Sequence, residues 1–377
     1  MNIGFDISAQ SLPRSGVGHY QINLLNALLK IDHENFYNLY AFNFRNRQRF
    51  KEIKFPSDNY KVKVIPIPQR LITLWWLMAD FPPLEKVAGK CDIYQVSEIC
   101  IQPVKKAKRV AFVHDLTTIL FPQHHVKSNV FLHKMRFKNI HKVDAILANS
   151  EYTRRDVIDH LHIKPDKVFV TYLGADERFK PATDSEIGAV NSKYGLKQPY
   201  ILFVGTLEPR KNVKMLIQAF NALKQQKKIP HKLVLAGQKG WNYDDIFREI
   251  EISQFKSEIQ HIGYIPDGEL PALLSGAEIF VYPSLYEGFG LPVLEAMQCG
   301  APVITSNVSS MPEIGGDACV YFNPNAPDEL IDKIFTVLSS NELRKILSEK
   351  GIIRAKFFSW EKCAADTLKV YKAILGK

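Results

Sequence analysis

The chain has 377 residues, 46% of them hydrophobic and 23% charged, and a net charge of +10. That length suits two domains better than one core, and the composition is that of an ordinary globular protein. Five scattered cysteines (Cys91, Cys100, Cys299, Cys319, Cys363) without a Cys-x-x-Cys pair exclude a disulfide framework and structural zinc and fit a reducing compartment.

Apolar, β-branched runs begin at the N-terminus, where Ile3–Ile7 reads as a strand with no basic, apolar leader before it. A glycine turn follows, Ser15–Tyr20, in which Gly16 and Gly18 let backbone approach a phosphate or sugar ahead of a helix over Gln21–Lys30. Without a third glycine the turn is only part of a dinucleotide fingerprint, and a plain strand-to-helix turn is the other reading. Strands follow at Asn38–Phe42 and Val62–Ile67. The most apolar stretch, Leu71 to Ala79 with Trp75 and Trp76, is too short to span a bilayer. After the strand Asp92–Val96, residues 101–142 hold nine Lys/Arg against one acid, Asp115. Such a segment is either a solvated basic face or an attraction for anionic lipid or a diphosphate-linked acceptor; nucleic acid lacks a recognition motif here. Within it, the strand Arg109–His114 delivers His114 and Asp115 to a carboxyl end, and a helix over Asn129–His141 carries Val130, Phe131, Met135 and Phe137 beside Lys134, Arg136 and Lys138. Strands at Ala145–Ala148 and Val168–Tyr172 complete the series.

The pattern restarts after Pro181, with strands at Tyr200–Val204, Lys232–Ala236, Ile259–Gly263, Ile279–Tyr282, Pro302–Thr305 and Cys319–Tyr321. Runs apolar on both faces, separated by helices, predict parallel sheets covered on both sides. Two such series predict an α/β protein of two facing Rossmann-like, doubly wound domains with the ligand in the cleft between them. The first domain is expected over 1–180 and the second over 181–358. Ser359 is the expected N-cap of a last helix, 359–377, that returns to the first domain on a stripe of Trp360, Ala364, Leu368 and Tyr371.

Two segments carry chemistry in the second half. Gly205-Thr-Leu-Glu-Pro-Arg210-Lys211-Asn212 sets two cations at a helix mouth, where they oppose the dipole unless an anion sits between them. Residues 284–302 place Glu287 and Glu295 eight positions apart around a turn with Gly288 and Gly290, then Pro292 at a helix start. Loop, helix start and carboxylates suit a sugar attached to a diphosphate, although a first-turn Glu also offsets the dipole by itself. No Asp-x-Asp pair occurs, so no metal and no cofactor is implied.

Taken together, these motifs, with Ala-Asn-Ser-Glu-Tyr-Thr at 148–153 and Leu-Gly-Ala-Asp-Glu-Arg-Phe at 173–179, resemble the retaining glycosyltransferases of family 4, which have the two-Rossmann B-type fold. The resemblance runs over nearly the whole chain, and the Glu-Pro-Arg-Lys-Asn form is similar to that of bacterial O-antigen and exopolysaccharide mannosyltransferases. It implies a nucleotide-sugar substrate, with GDP-mannose the first choice, and a glycan or lipid-linked acceptor. It puts Glu287 and His114 at the reacting sugar and the amides of Gly288, Phe289, Gly290 and Leu291 on sugar and phosphate. It puts Glu295 on the ribose, Lys211 on the diphosphate and Gly16 near phosphate and acceptor. Many relatives have Gly-Arg where this chain has Gly205-Thr206, so Arg210 is expected to supply the second cation. A nucleotide-sugar epimerase on the same fold and a basic lipid- or nucleic-acid-binding module are the competing readings. The expected location is the cytoplasm, with attachment to the inner membrane face through the basic segment.

Overall fold

A computed structural model of the protein describes residues 1–11, 16–44, 50, 52–96, 101–137 and 139–377, leaving out the side chains at 11, 128, 129, 132, 133 and 136. Ser15, Cys100, Lys138 and the side chains of Asn129 and Arg136 therefore lie outside the described residues.

The chain divides into two compact units, one of residues 1–120, 127–174 and 359–377 and the other of 121–126 and 175–358. The first is built on an all-parallel sheet in the order β3-β2-β1-β4-β5-β6-β7. Its strands are β1 (Asn2–Asp6), β2 (Phe36–Phe42), β3 (Tyr60–Ile65), β4 (Ile93–Val96), β5 (Lys108–Val113), β6 (Ala145–Ala148) and β7 (Val168–Val170). The second has the parallel order β10-β9-β8-β11-β12-β13. There the strands are β8 (Tyr200–Val204), β9 (Lys232–Ala236), β10 (Ile259–Gly263), β11 (Ile279–Tyr282), β12 (Val303–Ser306) and β13 (Cys319–Phe322). The runs expected as strands are strands, and the central ones are apolar throughout because a central parallel strand is covered on both faces and excludes polar residues from either. Chain order reverses between β1 and β4 in one sheet and between β8 and β11 in the other, and ligands of such sheets bind at these switch points.

Crossing from the first unit to the second occurs between Gly174 and Ala175 rather than after residue 180. Arg178 in the intervening stretch pairs with Asp176 (2.8 Å) and with Asp267 (3.4 Å), which fixes that stretch on the second unit. Residues 121–126 also belong there: the Phe121 ring lies 5.3 Å from that of Tyr286, and Trp241 Nε1 donates to the His124 carbonyl at 2.5 Å.

The helix Trp360–Ile374 belongs to the first unit, capped by the Ser359 hydroxyl accepting from the Lys362 amide at 3.1 Å. It packs on the helix Gly16–Ile31, and the Tyr371 hydroxyl donates to Gln95 in β4. Its buried stripe is Trp360, Cys363, Ala364, Thr367, Val370 and Tyr371; Leu368 is only half-buried, so the stripe is wider than a single row. Gly174 lies against the start of this helix, where an added Cβ would stand 2.3 Å from the Trp360 nitrogen. Main-chain atoms have no alternative rotamer, so Gly174→Ala should destabilise the first unit by about 1–3 kcal/mol, seen as a lower Tm in thermal unfolding. An unchanged Tm would show that backbone relaxes there at no penalty.

Candidate functional site

In the second unit the switch point between β8 and β11 gathers a buried ion cluster. The short 3₁₀ turn Pro209–Lys211 follows β8, and left-handed Asn212 (φ 55°) then starts the helix Val213–Lys227. The turn is tied to the loop after β11 by the Leu285 amide donating to the Arg210 carbonyl at 2.9 Å. Arg210 and Lys211 therefore sit a turn ahead of the helix. Buried carboxylates, with no ligand needed, already balance them.

Glu287 takes Lys211 Nζ at 2.5 Å and Arg210 Nη1 at 2.8 Å on one carboxylate oxygen, with the Ser284 hydroxyl at 2.7 Å and the Tyr282 hydroxyl at 3.1 Å. Arg210 Nη2 also reaches buried Glu208 at 2.6 Å, and Nη1 reaches the Tyr286 carbonyl at 2.7 Å. Lys211 Nζ donates to the Tyr282 hydroxyl at 2.5 Å. Burial pushes the Glu287 carboxyl up, but the charges of Arg210 and Lys211 outweigh it and hold the group down at about 2. Burial raises the Glu208 carboxyl, against the pull of Arg210 and Lys211. Lys211 is lowered by burial and then by Arg210. Glu208 stands inside the Glu-Pro-Arg-Lys-Asn motif but carries no role in the sequence reading, and Tyr282 and Ser284 carry none either. An acid two residues before an Arg was the available signal for Glu208.

The loop after Glu287 is held from the other side. The Glu287 amide donates to Ser309 Oγ at 3.0 Å, and the Ser310 hydroxyl donates to the carbonyls of Glu287 (3.0 Å) and Phe289 (2.8 Å). Gly290 has φ +101° and a Cβ there would fall 2.3 Å from Met311 Cε, so glycine is required for the chain to turn into the helix Leu291–Gln298. The glycine turn precedes the helix as expected, but the helix starts at Leu291, one residue before the expected Pro292, which is its second residue. The Phe289 side chain is core, with its ring 5.9 Å from Phe358.

Glu295 is in the second turn of that helix, not the first, so it is too deep to offset the dipole. It is not among the partners of Glu287. Desolvation raises its carboxyl to about 8, against the pull of Arg178, while Asp267 and Asp176 add to the rise.

In the first unit the expected residues lie at the β1/β4 switch point. Gly16 is the first residue of the helix Gly16–Ile31, exposed, and Gly18 is inside its first turn, where its carbonyl accepts from Gln10 Nε2 at 2.6 Å. The expected helix start at Gln21 is thus five residues late, because glycines at a helix mouth read as loop. His114 is half-buried just past β5, with its ring edge-on to Tyr20 (5.1 Å) and Phe112 (4.6 Å). With Tyr20, Asp6, Gln21 and Gln95 it lines a small pocket. Among the described residues, no group of three His, Cys, Asp or Glu could hold a metal ion.

The basic segment is less open than its composition indicates. Lys108 pairs with Asp144 (2.9 Å), Lys142 with Asp80 (2.7 Å), and Arg109 donates to the Lys142 carbonyl. Its helix spans Lys127–Phe137 instead of 129–141, and of Val130, Phe131, Met135 and Phe137 only Phe131 is exposed, while Phe137 packs on the core. Among the described residues, no helix is long and apolar enough to cross a membrane.

Two doubly wound α/β units, each with polar side chains and a helix N-terminus at its switch point, have the architecture that binds ligands there, and comparison with known proteins supplies the family. Residues 14–179 match the domain Glycosyltransferase Family 4 and residues 189–354 the domain Glycosyl transferases group 1. The chain is 36% identical over 274 residues to the O-antigen chain mannosyltransferase B of Escherichia coli, covering 72% of each chain. It is 30% identical over 274 residues to the serotype-specific mannosyltransferase WbdA of Escherichia coli, of which it spans only 34%. Among solved structures, Anabaena HepE in complex with UDP and glucose superposes with a TM-score of 0.73 at 16% identity, over 99% of this chain and 100% of that one, a likeness of fold. The chain belongs to the family 4 glycosyltransferases and is a transferase similar to O-antigen mannosyltransferases.

The two carboxylates should report opposite pH dependence. Glu287, depressed to about 2, contributes stability that is complete above its unfolded value of 4.5 and lost as pH falls through about 2. Breaking its pairs by Glu287→Ala should cost about 3–5 kcal/mol at neutral pH. In urea unfolding that gap should narrow at acid pH. Glu295, raised to about 8, opposes folding increasingly as pH rises from 4.5 to about 8, so Glu295→Gln should gain stability relative to wild type over that window. A Glu295→Gln gain that is equal at pH 5 and pH 8 would contradict the assignment.

Proposed function

We propose that the enzyme transfers a hexose, with mannose from GDP-mannose the first choice, to a glycan or lipid-linked hydroxyl in bacterial surface polysaccharide synthesis, with retention at the anomeric carbon. The observation that carries this is the ionised Glu287 held against Arg210 and Lys211 beside the N-terminus of the helix Leu291–Gln298. The names of the Escherichia coli mannosyltransferases support the sugar, and the UDP and glucose bound by HepE support a nucleotide-linked hexose at a site of this fold.

In this reading Glu287 accepts from sugar hydroxyls with its second oxygen, while the amides of Gly288 to Leu291 approach sugar and phosphate. Glu295, the residue assigned to the ribose, acts from a protonated carboxyl at neutral pH. From the first unit, His114 is assigned to the sugar and Gly16 to phosphate and acceptor. Bond breaking at the anomeric carbon builds positive charge on the sugar and negative charge on the leaving diphosphate. Arg210 and Lys211 stabilise that anion, held beforehand in place by Glu208 and Glu287, so little reorganisation is needed. The leaving phosphate oxygen takes the acceptor's proton on the same face, which dispenses with a separate base. Neither metal nor cofactor enters the scheme. A lipid-linked acceptor would bring the enzyme to the inner face of the cytoplasmic membrane.

Thermal shift with UDP, GDP, ADP and their sugars should show stabilisation by one nucleotide class, GDP and GDP-mannose first, since a ligand bound to the folded state raises Tm. With that nucleotide sugar, Glu287→Ala should lower kcat far more than it changes nucleotide affinity, and Lys211→Ala and Arg210→Ala should each lose about 10²–10³ in kcat, in chelator as well as out of it. Full turnover by Glu287→Ala, or activity abolished by chelator, would refute the site as drawn.

A further inference from the structure

The most apolar stretch of the sequence forms the helix Gln69–Met78 in the first unit, and only one side of it is used by the core. Ile72 and Trp76 are buried. Leu71, Leu74, Trp75 and Met78 are 61%, 53%, 51% and 79% exposed, and Phe81 just beyond is 56% exposed. Positions 71, 74, 75 and 78 follow i, i+3, i+4, i+7 and share one helix face. Single exposed hydrophobics are ordinary, but a contiguous set of this size marks an interaction surface.

Charge indicates what meets it. Arg70, Lys86, Lys105 and Lys106 are exposed, and Lys86 Nζ sits 5.3 Å from the centroid of the Phe81 ring. Both neighbouring acids are engaged: Asp80 by Lys142 at 2.7 Å, and Glu85 by the backbone amides of Lys105, Lys106 and Ala107 at 2.8–3.2 Å. The Trp75 indole N–H is already bonded to the Phe81 carbonyl at 2.5 Å. Its ring can therefore enter an apolar phase without stranding a polar atom. A helix of ten residues is half the length needed to span a bilayer, so it can only lie along the surface.

We propose that Leu71, Leu74, Trp75, Met78 and Phe81 dock the first unit onto an anionic phospholipid surface, buried at the headgroup boundary with Arg70, Lys86, Lys105 and Lys106 around them. This gives the proposed peripheral location a specific face and rests on that location alone, not on the sugar transferred. The helix Lys127–Phe137, richer in charge, has no comparable apolar face among its described residues.

Full-length protein is sedimented with phosphatidylcholine vesicles with and without phosphatidylglycerol. Binding is expected only to the anionic vesicles, weaker at high salt, and reduced at least about tenfold by the triple substitution Leu71→Ser, Leu74→Ser, Met78→Ser with Tm unchanged. Tryptophan emission should shift to the blue on anionic vesicles and lose that shift in Trp75→Phe, a readout that survives should the triple variant fold poorly. Equal vesicle binding by the triple variant, with an emission shift that persists in Trp75→Phe, overturns this helix while leaving a membrane location standing. No binding by wild type overturns both. A dimer in size-exclusion chromatography that the triple variant dissolves, without vesicle binding, assigns the face to a second copy and likewise overturns the proposal. None of these outcomes alters the nucleotide thermal shift, on which the transferase chemistry is judged.

Discussion

Everything at the β8/β11 switch point depends on holding two adjacent cations out of water. Arg210 and Lys211 are nearly buried and repel one another, an arrangement that is untenable alone. Glu208 and Glu287 make it tenable, two carboxylates for two cations. The loop geometry follows from this: Ser284, Ser309 and Ser310 brace Glu287 and its neighbours, so the carboxylate cannot drift from its partners. Under the proposed function, a ligand phosphate would meet charges already oriented, and the balance of the cluster would make differential contact at the forming anion, rather than bulk positive potential, the source of its stabilisation.

The two glutamates of the 284–302 segment illustrate how environment, not residue type, assigns chemistry. Glu287 lies among cations and hydroxyl donors and is ionised far below neutrality. Glu295, eight residues on, faces one arginine shared among several acids and is held towards neutral. One helix and its preceding loop thus present an acceptor-only group and a group able to donate, which is a useful pairing for a ligand that is itself studded with hydroxyls.

The fold was largely legible in the sequence because parallel central strands must be apolar on both faces, a signal that survives without any knowledge of neighbours. The turn at Gly288 and Gly290 was legible from its glycines, while the helix start at Gly16 was hidden by them. Partnership was not legible. Pairing of Arg210 and Lys211 with Glu287 joins segments more than seventy residues apart, and no periodicity encodes it. The depth of Glu295 turned on where the helix begins, at Leu291 rather than at Pro292. The basic segment 101–142 drew attention by its charge, but several of its cations are taken up by Asp144, Asp80 and a carbonyl. The exposed apolar face at 71–78 was hidden in a run whose composition reads as core.

The helix Trp360–Ile374 has a consequence for biosynthesis. Residues 175–358 lie in one unbroken stretch and can collapse as they leave the ribosome, with only 121–126 supplied from earlier in the chain. The first unit cannot finish in the same way. Its helix Gly16–Ile31 keeps an apolar face uncovered until residues 360–374, made after the whole of that stretch, arrive to cover it. The domain that is synthesised first is therefore completed last, and through that interval it is a natural client for chaperones that shelter nascent hydrophobic surface.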